Sequence, residues 1–178
     1  MRSGERAWQT RGAEAAPGKE VGMNISGMVK GHDVFGALTP KEVDLVSSFS
    51  SVKKFEAGEI LFERGRPASH VFELVEGAVY LQLPGKQVGL HMMVSDVVEG
   101  ELFGLSPLLG AARYTSSAVA RTATQVLAIE AEPLQNLLHR NPAVGLHIMS
   151  GVAAVYFDRY LKVIKNLQEV LNHLPLIR

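Results

Sequence analysis

The sequence predicts a mainly β domain of jelly-roll type, an antiparallel sandwich or barrel with helices on both flanks. Two observations predict this fold class. Between Val52 and Ile129 the chain reads as roughly seven or eight short β-prone runs punctuated by glycines. On both sides of that region, apolar residues recur with the period of a helix. With 178 residues, of which 47% are hydrophobic, the chain can bury a substantial core.

The composition argues against several classes of function and of binding site. Eighteen basic residues balance eighteen acidic ones, which argues against non-specific nucleic-acid binding as the main task. The absence of cysteine excludes disulfides, thiolate metal sites and cysteine nucleophiles. No segment is long and apolar enough to span a membrane, and no apolar stretch of a secretory signal follows the N-terminus. We therefore expect a cytoplasmic protein without membrane contact.

The N-terminal part divides into a leader and a helix. Residues 1–30 are rich in glycine, alanine, serine and charge and show no period, so they are predicted to be a disordered leader. A short helix is predicted over Pro40 to Ser48, because Thr39 can cap it and Glu42 can complete a capping box. Its predicted apolar stripe consists of Val43, Leu45, Val46 and Phe49.

The β region begins after this helix. Its runs read VKKF, EILFERG, SHVFELVEG, AVYLQL, VGLHMMV, ELFG and SSAVARTATQVLAIE. Glycines stand between the runs or at their ends, where turns require positive φ, and LPGKQ is typical of a hairpin turn. Residues 31–140 are therefore predicted to form the jelly roll together with short flanking helices.

The C-terminal part is helical. Pro133 is predicted to open a short helix, and Asn141 to cap a long one that starts at Pro142 and runs to about Leu174. Apolar residues on it alternate spacings of four and three, which is typical of a coiled-coil face. Residues 141–178 are therefore predicted to be a homodimerisation helix, the alternative being a helix packed on its own domain. The predicted seam is Met149, Ala153, Tyr156, Tyr160, Val163, Leu167, Val170 and Leu174.

Four ordered blocks carry a family resemblance. They are FxxGEILFxxG from Phe55, VFELVEGAV from Val71, GxxFG ending at Gly104, and AVART from Ala118. With helices on both flanks, the chain from about Asp33 to Leu174 resembles the cyclic nucleotide-binding domain family. The resemblance implies a double-stranded β-helix (jelly roll) of about eight antiparallel strands, with a short N-terminal helix and a long C-terminal helix.

The resemblance also implies that Glu99 to Ala120 is the phosphate-binding cassette. The family pattern has a glutamate for the ribose after the FG pair and an arginine for the phosphate ahead of the small residues. Here those positions hold Leu105 and Tyr114. Arg113 lies one residue earlier and would face the opposite side of a strand unless a bulge or insertion turned it inward. We therefore expect weak or altered nucleotide binding.

The implied site residues fall in two groups. The phosphate end would consist of Phe103, Gly104, Leu105, Ser106, Arg113, Tyr114, Thr115 and Ser116. A lid over the ligand would be formed by Arg159 and Tyr160, of which Tyr160 could instead serve only the seam.

No catalytic pattern stands out, since the sequence lacks a nucleophile elbow, paired carboxylates and a metal-ligand histidine spacing. We expect a non-catalytic, dimeric sensor or regulatory module with cyclic AMP or cyclic GMP as candidate ligand, no metal and an unidentified protein partner. Direct nucleic-acid contact is not expected, because no helix-turn-helix follows Leu174. Two alternatives stay open: a ligand-free structural dimer, and an ordinary cyclic-nucleotide sensor that uses Arg113.

Overall fold

Eight antiparallel strands in two four-stranded sheets form the centre of the protein, as the sequence predicts. The computed structural model describes residues 24–31, 33–85 and 90–172. The strands are β1 (Ser50–Phe55), β2 (Ile60–Phe62), β3 (His70–Glu76), β4 (Val79–Pro84), β5 (His91–Val97), β6 (Leu102–Phe103), β7 (Ser117–Ala120) and β8 (Thr124–Glu130). The α-helices are α1 (Ile25–Gly31), α2 (Pro40–Ser48), α3 (Ala131–Arg140) and α4 (Pro142–Asn172), and 3₁₀ helices cover Asp33–Phe35 and Ser106–Leu109.

The two sheets face each other across an apolar interior. One sheet has the strand order β1-β8-β3-β6 and the other β2-β7-β4-β5. The interior between them, here called the sandwich core, includes Phe62, Phe72, Leu74, Phe103, Val126 and Ala128. The helices cover the outer face of the first sheet and form a second core with it. This helix-side core includes Val52, Val71, Leu127, Ile129, Leu134 and Ile148.

Strand β8 separates the two cores. Val126 and Ala128 point into the sandwich core, and the alternate residues Leu127 and Ile129 point to the helices. Six successive residues of β8 are therefore buried, because both faces of this strand are covered.

Helix α2 has the predicted start. The Oγ1 of Thr39 accepts a hydrogen bond from the Glu42 N–H at 3.4 Å, and the Glu42 carboxylate accepts one from the Thr39 N–H at 2.8 Å. The predicted stripe is wrong at Leu45, which is exposed, whereas Val43 and Val46 are buried. Leu45 lies about 100° around the helix from Val46 and about 200° from Val43, so it points away from the core. Phe49, at the C-cap, packs against the core as predicted.

The leader ends earlier than the sequence suggests. Ile25–Gly31 forms α1, and Val29 is fully buried in the helix-side core. Ile25 and Met28 pack against the same core, so the segment does have an i, i+3, i+4 pattern. Seven residues are too few for that pattern to stand out among glycine and serine. Residues 1–23 of the predicted leader lie outside the described residues.

Helix α4 begins as predicted and extends along the sandwich. The Asn141 carboxamide oxygen accepts a hydrogen bond from the Val144 N–H at 3.4 Å. The helix is described to Asn172, and the predicted end at Leu174 lies outside the described residues. The helix before it starts at Ala131, two residues ahead of the predicted Pro133. Proline fits there because an N–H in the first helical turn has no intrahelical acceptor.

Candidate functional site

The turn after β6 requires a glycine. Gly104 has φ +66°, and a Cβ at this position would lie 2.9 Å from the Phe72 ring. The stacked rings of Phe62, Phe72 and Phe103 form the floor under this turn. The backbone therefore passes directly over the sandwich core before the Ser106–Leu109 helix begins.

Tyr114 is buried beside this floor. Only 4% of its surface is exposed, and its ring stacks on Phe62 with 4.0 Å between the ring centroids. Its hydroxyl donates to the His70 carbonyl at 2.9 Å and accepts from the His70 N–H at 3.1 Å. Burial raises the pKa of the Tyr114 phenol, which keeps the side chain uncharged. The position where the resemblance implies a phosphate-pairing arginine thus holds a neutral ring.

Arg113 lies on the outside of the protein. Its Nη1 donates to the Gly65 carbonyl at 2.6 Å, and its backbone forms an isolated antiparallel bridge with Pro67. The side chain is exposed, on the opposite side from the buried Tyr114. No bulge turns Arg113 inward, and this arginine does not line the cavity described next.

A cavity of about 420 Å³ opens between the 104–106 turn, the β4–β5 pair and α4. The strands, the turn and the segment before β7 contribute the hydroxyl-bearing side chains of Ser95, Ser106, Thr115 and Ser116. The Ser106 and Thr115 hydroxyls lie 3.4 Å apart. The apolar wall from the sheets and the turn consists of Phe62, Leu81, Leu83, Val94 and Leu105.

Helix α4 supplies the remaining wall, with Tyr156, Arg159, Tyr160 and Val163. Arg159 is half-buried, and its Nη2 donates to the Leu102 carbonyl at 2.6 Å. Its Nε is buried and has no hydrogen-bond partner among the described residues. Loss of solvent lowers the pKa of the Arg159 guanidinium, an effect that Glu101, Tyr156 and Asp158 oppose.

The structure brings together most, but not all, of the predicted site residues. Those that line the cavity are Gly104, Leu105, Ser106, Thr115, Ser116, Arg159 and Tyr160. Phe103, Arg113 and Tyr114 do not line it, because Phe103 and Tyr114 are buried below the turn and Arg113 points outward. The ligand-binding roles of all these residues stay predictions.

Several cavity residues were missed by sequence reasoning. Leu81 and Leu83 could have been found, because they share with Val79 one face of an alternating strand. Tyr156 and Val163 were assigned to the seam alone, although both line the cavity. Which side of α4 meets the cavity depends on how the helix rotates about its axis, and spacing alone does not fix that rotation.

The predicted seam is mostly exposed in the single chain. Met149 packs against the helix-side core. From Ala153 onward the described seam side chains are exposed, with Leu167 at 51%. The side chains of Val170 and Leu174 lie outside the described residues. Dimerisation therefore stays a prediction.

Within the described ranges, no group of three or more histidine and acidic side chains could hold a metal ion. In the same part of the chain, none of the helices has the length and apolar character needed to cross a membrane.

Comparison with known proteins yields both a family and relatives. The family model for the cyclic nucleotide-binding domain matches residues 52–141. The cyclic AMP receptor protein of Thermus thermophilus is 30% identical over 128 residues, which are 70% of this chain and 57% of that protein. The global nitrogen regulator of Synechococcus elongatus is 30% identical over 105 residues, 58% of this chain and 47% of that protein. The chain thus spans about half the length of these two relatives.

Solved structures share the fold. A candidate cyclic nucleotide-binding protein from Geobacter metallireducens has a TM-score of 0.68 at 29% identity, covering 78% of this chain and 99% of that one. The Thermus thermophilus catabolite activator protein has a TM-score of 0.59 at 27% identity, covering 78% and 62%. The sensor domain of the regulator DNR from Pseudomonas aeruginosa has a TM-score of 0.64, covering 72% and 91%. At 17% identity, this last likeness concerns the fold alone.

Proposed function

Because the chain belongs to the cyclic nucleotide-binding domain family, we propose that it is a non-catalytic regulatory module that senses a small molecule. In this proposal it works as a homodimer and binds cyclic AMP and cyclic GMP weakly. The observation that carries the proposal is the buried, hydrogen-bonded Tyr114 at the position of the phosphate-pairing arginine. The regulatory class also follows from relatives named as a cyclic AMP receptor and a nitrogen regulator.

Weak nucleotide binding is supported by the residues at two positions, the one expected to bind the ribose hydroxyl and the one expected to bind the cyclic phosphate. Leu105 lines the cavity where a carboxylate would accept the ribose hydroxyl, and its side chain accepts no hydrogen bond. Tyr114 replaces a charge that would pair with the cyclic phosphate. The hydroxyls of Ser106 and Thr115 remain, but a neutral hydroxyl binds an anion less strongly than a guanidinium does.

A sensor is favoured over a ligand-free structural dimer by the cavity itself. A volume of about 420 Å³ lies within the range of roughly 300–1,000 Å³ that is common for small-molecule sites. Tyr114 and Leu105 occupy only one end of the expected pocket, so space remains beside α4.

Dimerisation is supported by exposed apolar side chains in the C-terminal half of α4. Phe157 is 63% exposed, and Leu161, Leu167 and Leu171 are about half exposed. A run of large apolar side chains on a single helix is typical of a surface that another protein covers. The four-three spacing of the seam favours a second copy of the same helix as that partner.

A thermal-shift experiment with Arg113→Ala tests the proposal against an ordinary nucleotide sensor. We expect no rise in melting temperature with micromolar cyclic AMP or cyclic GMP. A ligand at a hundred times its Kd would add ~2.7 kcal/mol to the free energy of unfolding, which is easily seen. A rise in the wild type that is lost in Arg113→Ala, but kept in Arg64→Ala, would establish the ordinary sensor instead.

A further inference from the structure

Arg159 gives the cavity one charged side chain among the described residues that line it. The two carboxylates that most favour its charged form, Glu101 and Asp158, pair instead with Lys162. Their oxygens lie 3.8 Å and 2.7 Å from the Lys162 Nζ. The Arg159 charge therefore has no carboxylate partner within the described ranges, and its buried Nε has no acceptor.

The cavity wall beside Arg159 is largely apolar. Tyr156, Tyr160 and Val163 flank it on α4, and Leu81, Leu83 and Val94 lie on the strands that line the same cavity. A half-buried cation next to an apolar wall is costly unless an anion completes its hydrogen bonds. The cavity therefore offers an apolar wall, against which the apolar part of a ligand can pack, and one cationic side chain, Arg159, which can bind an anionic group.

We propose that this cavity binds an organic anion that has an apolar body and a single anionic head. The head would accept hydrogen bonds from the Arg159 guanidinium, and the body would lie against the apolar wall. This inference rests on the proposed function insofar as it takes the cavity to be the ligand site. It differs from nucleotide recognition because the anion is held from α4 and not from the 104–106 turn. Arg159 lies on the same helix as the predicted seam, so bound ligand would contact the element that joins two copies.

Two matched fluorescent probes test the charge. The first, 1-anilinonaphthalene-8-sulfonate, carries an anionic head, and the second, N-phenyl-1-naphthylamine, is its uncharged counterpart. The variant Arg159→Met keeps an unbranched side chain without the charge. We expect it to weaken binding of the sulfonate by about tenfold or more, and to leave binding of the neutral probe within about twofold. The control Arg64→Met removes an exposed arginine away from the cavity and should change neither affinity.

The variant Thr115→Trp tests the location of the probes. Thr115 lines the cavity and is exposed, so a large ring there can fill the space without disturbing either core. We expect both probes to bind this variant at least about tenfold more weakly. Binding that Thr115→Trp leaves unchanged would place the probes on the apolar surface of α4 and overturn the proposal.

The remaining outcomes separate the proposal of an anionic ligand from the proposal that the protein is a sensor. If both probes occupy the cavity but Arg159→Met weakens them equally or not at all, the anion proposal is overturned while the sensor proposal stands. If micromolar cyclic AMP displaces both probes from the wild type, the proposed weak nucleotide binding is wrong as well. Circular-dichroism melting of each variant confirms that it is folded before binding is compared.

Discussion

Tyr114 is an uncharged ring that the backbone of β3 holds in place, at the position where the resemblance implies a phosphate-pairing arginine. Two hydrogen bonds join its hydroxyl to His70, and Phe62 stacks on its ring. A side chain held this firmly cannot swing aside for a phosphate without leaving the His70 N–H and carbonyl without their partner. The same residue therefore stabilises the fold and is proposed to weaken nucleotide binding.

The variant Tyr114→Phe measures this structural role. We expect it to lower the free energy of unfolding by ~1–3 kcal/mol, because the two His70 groups lose their partner. Chemical denaturation monitored by circular dichroism gives the value. The control Tyr160→Phe removes a hydroxyl from an exposed ring and should change it by less than ~0.5 kcal/mol. Equal effects of the two substitutions would contradict the account.

Glu73 is a second residue with a measurable consequence. It is 8% exposed, and its Oε2 is buried without a hydrogen-bond partner. Burial raises the pKa of the Glu73 carboxyl to about 7 from 4.5. Between these values the folded protein keeps a proton that the unfolded chain has released. The contribution of Glu73 to stability should therefore fall as pH rises from 4.5 to about 7.

The variant Glu73→Gln tests this pH dependence. At pH values above 7 the wild type carries a buried charge, and the amide does not. We expect the substitution to raise the free energy of unfolding there by ~1–3 kcal/mol, with a much smaller gain near pH 5. Denaturation curves across this range provide the test, and a gain independent of pH would contradict the assignment.

Among the elements, α4 has three different environments along its length. Its first turns pack through Val144, Ile148 and Val152 into the helix-side core. Its middle lines the cavity through Arg159, and beyond Val163 the side chains of Leu167 and Leu171 are about half exposed. Because seam residues also line the cavity, binding and dimerisation are proposed to share one helix.

The variant Leu167→Glu separates the predicted seam from the cavity, because Leu167 belongs to the seam but does not line the cavity. We expect it to shift the protein to monomers, because a carboxylate in a coiled-coil seam is left without solvent. Sedimentation velocity over a concentration series measures the change, expected to be at least tenfold in the dimer dissociation constant (~1.4 kcal/mol). Lys165→Glu places the same side chain on the opposite side of the helix and should leave the dimer intact. A wild type that is monomeric at every concentration would refute the seam.

The elements also show what the sequence could predict. The eight strands, the capping box at Thr39 and the start of α4 follow from local patterns that tertiary contacts reinforce. Helix α1 was missed because only a few apolar residues, with Val29 fully buried among them, anchor it. The sequence predicted only some of the α4 residues that line the cavity. Tyr156 and Val163 were missed because their spacing fits the predicted seam, and spacing does not show that they also line a cavity.

On the scale of the whole molecule, one hydrogen bond joins helix α2, which precedes the strands, to the helices α3 and α4, which follow them. The Asn141 carboxamide donates to the Glu42 carboxylate at 2.6 Å, although the two residues are 99 positions apart. Hydrogen bonds from Thr39 and Asn141 lower the pKa of the Glu42 carboxyl below 4.5. The start of α2 is therefore tied to the junction between α3 and α4.

The variant Glu42→Gln tests this link through its pH dependence. A lowered folded-state pKa contributes stability that is present above pH 4.5 and is lost as the pH falls through the folded-state value. We expect the variant to melt about 2–4 °C below the wild type at neutral pH, with the gap narrowing under acidic conditions. Asp44→Asn, an exposed change on the same helix, is the control. A gap that persists unchanged in acid would show that the contact is not charge-dependent.

Calorimetric titration of the wild-type chain with cyclic AMP and cyclic GMP measures the ordinary nucleotide recognition that we propose this chain lacks. The Thermus thermophilus cyclic AMP receptor protein serves as the positive control. We expect no saturable heat at micromolar nucleotide, because Leu105 and Tyr114 stand where the resemblance implies a carboxylate and a guanidinium. A micromolar Kd for either nucleotide, roughly −8 kcal/mol of binding free energy, would contradict this expectation.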